Sequence, residues 1–319
     1  RMSSTDSATI PTRDEVAAAA GKIREKLSAT PLLTSSSLDS LLGCRVFFKA
    51  DHLQKTGSFK SRGALLNVIR AKESGATSVV THSSGNHGQA MAWAAAAEGL
   101  AAIVVVPENA PTAKTAAISG YGASIVRCAN SIQAREEECA KQAASSGGAV
   151  VEPYASRTTI MGQGSVGIEL AEQAPALDAV FIATGGGGLA SGIAIAMPEV
   201  PLFLVEPMGK ELQKQLDGTH DGCRDALPTI ADGIRVRQLG QQNLAVLRQH
   251  QQIHVVTVSD EEIREALILI WTRLKQHVEP TAAVALAGLR QVMAARPHPD
   301  LQSVAVVLCG GNVDHSFIP

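Results

Sequence analysis

The sequence predicts an α/β protein built on parallel sheets, with its ligand crevice beyond the carboxyl ends of the strands. Three observations carry that prediction. Short β-branched apolar runs alternate with Ala-rich helical stretches, glycine-rich turns follow three of those runs, and 45% of the 319 residues are apolar, enough for a sizeable core.

The runs lie at 78–81, 102–106, 124–128, 178–183, 201–206 and 303–309, each beside a helical pattern. Residues 13–26 carry Arg13, Asp14, Glu15, Arg24 and Glu25 at helical spacing and read as an ordinary surface helix. The stretch 86–98 is a helix by propensity and Gly99 stops it. Ser259 with Glu262 three residues on predicts a capping-box start to a helix that runs through Trp271 to Lys275. Three strand, turn and helix units fall between 75 and 150. We therefore expect a small domain over 75–150 and a large one from 1–74 together with 151–319.

With 28 basic and 30 acidic side chains the net charge is −2. The basic residues are scattered, so neither nucleic acid nor an anionic membrane surface is an expected partner. No apolar run is long enough to span a bilayer, and the polar opening resembles neither a signal nor a transit peptide. Cys44, Cys128, Cys139, Cys223 and Cys309 contain no C-x-x-C pair and read as free thiols. The expected location is the cytoplasm.

Three glycine turns follow predicted strands, where such sheets place their ligands. They are Ser83-Ser84-Gly85-Asn86-His87-Gly88, Thr184-Gly185-Gly186-Gly187-Gly188 and Cys309-Gly310-Gly311-Asn312. Four glycines at a helix start let backbone N–H groups converge on an anion, aided by the helix dipole. The spacing is not G-x-G-x-x-G and no Gly-Lys-Ser/Thr follows, which disfavours dinucleotide and nucleoside-triphosphate cradles. A tight turn requiring positive φ is the plainer alternative. Lys60, in KTGSFKSRGA, would alone be a cationic surface turn. Beside a phosphate cradle and an Asn-bearing turn it becomes a candidate amine nucleophile, its pKa lowered by partial burial and by neighbouring cations such as Arg62.

The chain resembles the fold type II pyridoxal-phosphate enzymes, and among them the serine racemase and serine/threonine dehydratase group. The resemblance runs from Ile23 to Asp314 through KTGSFKSRGA (55–64), THSSGNHGQA (81–90), GYGASIVRC (120–128), MGQGS (161–165), TGGGGLASGIAIA (184–196), IADGI (230–234), EPTAAV (279–284) and VLCGGNVD (307–314). It implies two interlocked open-sheet α/β lobes of the tryptophan synthase β-like kind, with pyridoxal 5'-phosphate between them. Lys60 would be the Schiff-base lysine and the proton carrier on one substrate face. Asn86 would bond the ring hydroxyl, Gly185, Gly186, Gly187, Gly188 and Leu189 would hold the phosphate, and Phe59 and Gly233 would lie against the ring. Glu279 would stand behind the cofactor, and Cys309 would face the ring nitrogen as a weak donor, favouring elimination or reprotonation over transamination. Otherwise Cys309 is a small buried filler.

Ser83, Ser84, Asn86 and His87 would receive the substrate carboxylate. Ser84 stands where the racemase-like members keep a second proton donor, opposite the lysine, so the resemblance implies racemisation beside dehydration of L-serine or L-threonine. The alternatives are a dedicated serine, threonine or 3-hydroxyaspartate ammonia-lyase, in which Ser84 only binds the carboxylate, a β-replacement synthase, and a non-catalytic module for a phosphorylated ligand. His82 and Arg135 match positions that meet an acidic substrate side chain, although Arg135 also suits a surface ion pair.

Two departures stand out. The family's divalent-cation positions read Glu206, Lys210 and Leu212 here, so Mg, Ca or Mn binding is predicted weak or lost. Either the Lys210 ammonium sits in the ion's place or Glu211 substitutes with shifted register. Tyr154 stands where the racemases often carry Asn, and would reach the cofactor or restrict the substrate pocket. Pieces of the animal racemases' nucleotide site persist as Ser35, Ser36, Ser37, Lys55 and Thr56, which makes ATP a candidate effector. The family is usually homodimeric.

Overall fold

The structure, a computed structural model, describes residues 9–174, 176–223, 225–295 and 300–313. Residues 1–8 of the expected large domain and Asp314 of the last matching segment lie outside the described residues.

The chain opens with α1 (Arg13–Ile23), β1 (Leu32–Leu33), α2 (Ser36–Leu42), β2 (Arg45–Lys49) and α3 (Lys60–Glu73). It continues through β3 (Ser78–His82), α4 (Asn86–Glu98), β4 (Ala101–Pro107), α5 (Thr112–Gly120), β5 (Ser124–Cys128), α6 (Ile132–Ser146) and β6 (Ala149–Val150). There follow α7 (Arg157–Gln173), β7 (Ala179–Ala183), α8 (Gly188–Ala196), β8 (Leu202–Pro207) and α9 (Leu212–Asp217). The chain closes with α10 (Gln241–Gln249), β9 (Ile253–Val258), α11 (Asp260–Leu269), α12 (Pro280–Ala295) and β10 (Ser303–Val307).

These strands make two sheets, a six-stranded one in the order β1-β2-β10-β7-β8-β9 and a four-stranded one in the order β5-β4-β3-β6. Only β1 against β2 is antiparallel. All six predicted runs are strands. β1, β2, β6 and β9 were not predicted. The alternation of apolar runs and helices therefore builds the expected parallel α/β architecture, with β7 and β10 buried in mid-sheet as continuous apolar strands.

α4 begins at Asn86 and ends on Gly99 at φ 74, the left-handed cap that glycine adopts freely. The capping box of Ser259 and Glu262 opens α11, whose last turn widens into a π-helical turn over Ile270–Leu274. α1 departs from the surface-helix reading: Val16 and Ile23 lie fully within the core. Its stripe packs on α7, whose Gly164 meets Gly192 of α8 backbone to backbone, an approach any Cβ would block. The five cysteines are free.

Candidate functional site

Lys60 is the first residue of α3, and the turn before it is fastened to the end of β10. Ser58 bridges Gly310, and the Phe59 N–H donates to the Cys309 carbonyl at 3.1 Å. The Lys60 Nζ donates to the Pro153 carbonyl at 2.9 Å and lies 5.2 Å from the centre of the Phe59 ring. Burial pushes its pKa down to about 8, against a weaker upward pull from Cys309. Arg62, expected to help lower it, does something else. Its guanidinium is fully buried and grips Asp51 (2.6 and 2.8 Å) and Glu169 (2.6 and 2.8 Å), while Lys49 completes the cluster on Glu169 at 2.5 Å.

The turns at 83–88 and 309–312 meet through Asn86 and Asn312. Asn86 Nδ2 donates to both Glu279 oxygens (2.9 and 3.1 Å), and its Oδ1 accepts from Asn312 Nδ2 at 2.8 Å. Asn312 also donates to Thr56 O at 2.8 Å and, through its backbone, to Glu279 at 3.2 Å. Burial first, and the nearby Asp232 second, push Glu279 up to about 7. Cys309 is buried beside it, and burial followed by the Glu279 charge keeps the thiol well above its usual range and therefore protonated.

At the head of α4, Gly85 offers no side-chain cap, so the first N–H groups of the helix have no intrahelical acceptor. Ser83 Oγ accepts from the Gly85 N–H at 3.2 Å, and Ser84 is half-buried in the same turn. A Cβ at Gly88 would strike the Ser83 carbonyl, so glycine is what lets the turn close. The His87 ring points back into the sheet, 3.0 Å from Thr81 Oγ1, whose hydroxyl donates to Val151 O. Thr81 thus accepts from His87 Nε2, which fixes that tautomer. Burial, then the Lys60 charge, hold the ring neutral, so His87 contributes backbone to the turn and not a charged side chain.

At the tetraglycine turn α8 starts at Gly188, and its ladder opens with Ser191 N–H on Gly187 O at 2.8 Å. The N–H groups of Gly188, Leu189 and Ala190 therefore have no intrahelical acceptor and suit a phosphate. Positive φ explains only Gly187, at 94°. Gly185 faces Ile234, and Gly186 lies against the Tyr154 ring, where a Cβ would collide. Asn243 ties the turn together, donating to Gly186 O at 2.5 Å and Tyr154 O at 3.0 Å. Tyr154 is thus a wall of the glycine turn. The Gly233 N–H donates to Thr281 Oγ1 at 3.0 Å.

The remaining predicted residues occupy other positions. His82 ends β3 half-buried, its pKa lowered by burial and then by the charge of Arg135 in α6, whose Nε donates to the Ser131 carbonyl at 3.2 Å. Ser35 and Ser37 pair their hydroxyls at 3.2 Å around the start of α2. Lys55 is exposed, and Thr56, at φ 58, bonds Ser61 Oγ at 2.9 Å. The family's divalent cation does not fit its expected place. Lys210 is buried there with its Nζ on Val236 O and Arg237 O, Leu212 is an apolar core residue, and Glu211 is turned onto Lys214 at 2.5 Å. Among the described residues one cluster has cation-ligand spacing, Glu211 with His220 and Asp221, but Lys214 and the Gly222 N–H already occupy Glu211 and His220 Nδ1.

A half-buried amine of lowered pKa, a glycine turn with free N–H groups, a rigidly held Asn86 and a neutral thiol together fit pyridoxal phosphate. Two features escaped the sequence reading, the Arg62 cluster and the linking role of Asn312. Only the charged composition of 49–62 and the Gly-Gly-Asn turn hinted at them.

Comparison with known proteins agrees. The sequence profile of the pyridoxal-phosphate dependent enzymes matches residues 23–310. The chain is 41% identical over 303 residues to the serine racemase of Mus musculus, covering 92% of this chain and 88% of that one. It is 37% identical over 311 residues to the L-threo-3-hydroxyaspartate ammonia-lyase of Saccharomyces cerevisiae, covering 96% and 94%. A crystal structure of a pyridoxal 5'-phosphate-dependent aspartate racemase superposes with a TM-score of 0.92 at 36% identity, covering 97% of this chain and 98% of the other.

Proposed function

This chain belongs to the pyridoxal-phosphate dependent enzymes, and from that premise we propose that it is a serine racemase-like enzyme with serine/threonine dehydratase activity. The observation that supports the proposal is that the Lys60 charge is felt at His87 in the 83–88 turn, while Asn312 links Asn86 to Thr56 O in the turn before Lys60, in a chain with racemase and ammonia-lyase relatives.

Lys60 holds the cofactor when it is bound, and the free N–H groups at Gly188 and Leu189 receive its phosphate. The bound group supplies a sink for negative charge developing at the substrate α-carbon. The head of α4 binds the substrate carboxylate through backbone donors. The Lys60 amine, of lowered pKa, would take the α-proton of L-serine or L-threonine. Elimination would then expel the β-hydroxyl as water with the proton that Lys60 took, and the released enamine tautomerises to an imine that takes up water and loses ammonia, giving the 2-oxo acid. Reprotonation from Ser84 on the opposite face gives the D-isomer. Cys309, held protonated by burial, would leave the ring nitrogen of a cofactor bound against it without a formal charge, which favours these outcomes over transamination.

A second reading, a 3-hydroxyaspartate ammonia-lyase, is favoured by one observation. The Arg135 guanidinium of α6 is near enough to lower the His82 pKa by its charge, and a cation in that region suits a second carboxylate on the substrate. We also propose the homodimer and the two-domain division at 75–150.

The test is to incubate the holoenzyme and its Ser84→Ala variant with L-serine and with 3-hydroxyaspartate, measuring 2-oxo acid and D-isomer. The expected result is that Ser84→Ala abolishes D-serine and leaves pyruvate formation. Survival of D-serine in that variant removes Ser84 as the second proton donor, and turnover of 3-hydroxyaspartate alone selects the second reading.

A further inference from the structure

Lys210 is completely buried, a position that an ammonium occupies only when oxygen atoms replace its water. Its Nζ donates to the carbonyls of Val236 at 2.6 Å and Arg237 at 2.9 Å. The equally buried Glu206 carboxylate lies within reach of its charge, while its two oxygens accept from the Leu212 N–H at 2.8 Å and the Thr257 hydroxyl at 2.9 Å. Two carbonyl oxygens on the Nζ, with the Glu206 carboxylate outside direct contact but near enough for the charges to be felt, are the kinds of donor that a hard divalent ion selects. We propose that the Lys210 ammonium is a tethered cation that fills this oxygen pocket in place of a divalent ion and fastens segment 231–237 to the end of β8.

That segment is a wall of the crevice. It carries Gly233, bonded to Thr281, and Ile234, packed on Gly185 of the phosphate turn. Gln215 reinforces the clasp, with Nε2 on Lys210 O (2.9 Å) and Arg237 O (3.0 Å) and Oε1 on the Leu239 N–H (2.8 Å). Lys210 is therefore a positioning residue that acts on the cofactor through 231–237. Two consequences follow from the charge and the oxygens alone. The protein needs no divalent ion for this clasp, and deleting the ammonium while keeping the oxygens creates a site for one. Neither consequence depends on which amino acid the enzyme turns over.

The experiment measures Mn²⁺ binding by paramagnetic resonance and thermal melting of the holoenzyme with Mg²⁺, Ca²⁺, Mn²⁺ or a chelator. The proteins are wild type, Lys210→Ala, Lys210→Ala/Glu206→Gln and Lys210→Met. Wild type should ignore both ion and chelator. Lys210→Ala should melt several degrees lower, bind Mn²⁺ and recover stability in millimolar ion, and the double variant should lose that recovery. Lys210→Met keeps the volume of the stem without the charge, and should release cofactor faster than wild type. A wild type that the chelator destabilises overturns the proposal, as does a folded Lys210→Ala that binds no ion. Should Lys210→Ala fold in neither condition, a Lys210→Met protein equal to wild type in melting and cofactor retention overturns it too.

Discussion

Lys60 shows how a single residue acquires its chemistry from where it is placed. An exposed lysine titrates near 10, so that at pH 7 roughly one amine in a few thousand is neutral. Burial brings Lys60 to about 8, and about one in ten is then ready to attack at pH 7. Because the neutral form is the nucleophile, capture of pyridoxal phosphate by the apoenzyme should accelerate as pH rises through about 8, by roughly tenfold from pH 6 to 7, and level off above pH 9. The growth of visible absorbance, or borohydride fixation at timed intervals, records the profile. An inflection near 10 would show that the amine is not shielded. Lys60, Asn86 and the tetraglycine turn were legible because turns that present backbone donors need glycine at fixed positions. Asn312 was not, since its partner Asn86 lies 226 residues away in the chain. Nor did the sequence show that Arg62, two residues from Lys60, turns away from it.

Between elements, the Arg62 cluster ties α3 to the segment after β2 and to α7. Arg62 of α3, Asp51 before it, Lys49 of β2 and Glu169 of α7 form a buried ionic knot that fixes the start of α3, and hence Lys60, against the large sheet. Burial works to raise the Asp51 pKa, but Arg62 overcomes it and holds the carboxyl below its usual range. Arg62→Met leaves that carboxylate buried with Lys49 as a more distant cation. Breaking a buried pair costs on the order of 3–5 kcal/mol, and urea unfolding of the apoprotein should show a loss of that size. Pairing the change with Asp51→Leu should recover part of it. A loss within about 0.5 kcal/mol, the range of an ordinary surface change, would mean the cluster contributes little. The same charges hid β2 from the sequence reading: RVFFK is framed by Arg45 and Lys49, and the buried lysine is tolerable because its Nζ reaches Glu169, the Thr30 carbonyl and Gln173 Oε1. β9 went unread because IHVVTV places His254 and Thr257 among its apolar residues at the edge of the sheet. The mid-sheet strands β7 and β10, buried on both faces, announced themselves as unbroken apolar runs.

At the scale of the whole molecule, polar side chains tie the helices beside the four-stranded sheet to segments that follow strands of the six-stranded one. Asn86 on Glu279 is one such tie, and Lys114 of α5 on Asp232 of the segment bearing Gly233 is another, at 2.5 Å. Both partners of the second pair are partly exposed, 25% and 33%, so its contribution is that of a surface pair, roughly 0.2–1 kcal/mol, and salt screens it. Neither half of the fold depends on it for its core. Its effect should therefore appear in how well the crevice closes on its contents. Lys114→Ala is expected to raise KM for the amino acid by about 1.5- to 5-fold, the same free energy expressed as affinity, with the melting temperature nearly unchanged. Raising the ionic strength should weaken substrate binding in wild type and narrow the difference from the variant, because the lost attraction is the part that salt removes. A variant that melts several degrees lower with KM untouched would instead make Lys114 a strut of the small sheet, with closure carried by other contacts such as Asn86 on Glu279.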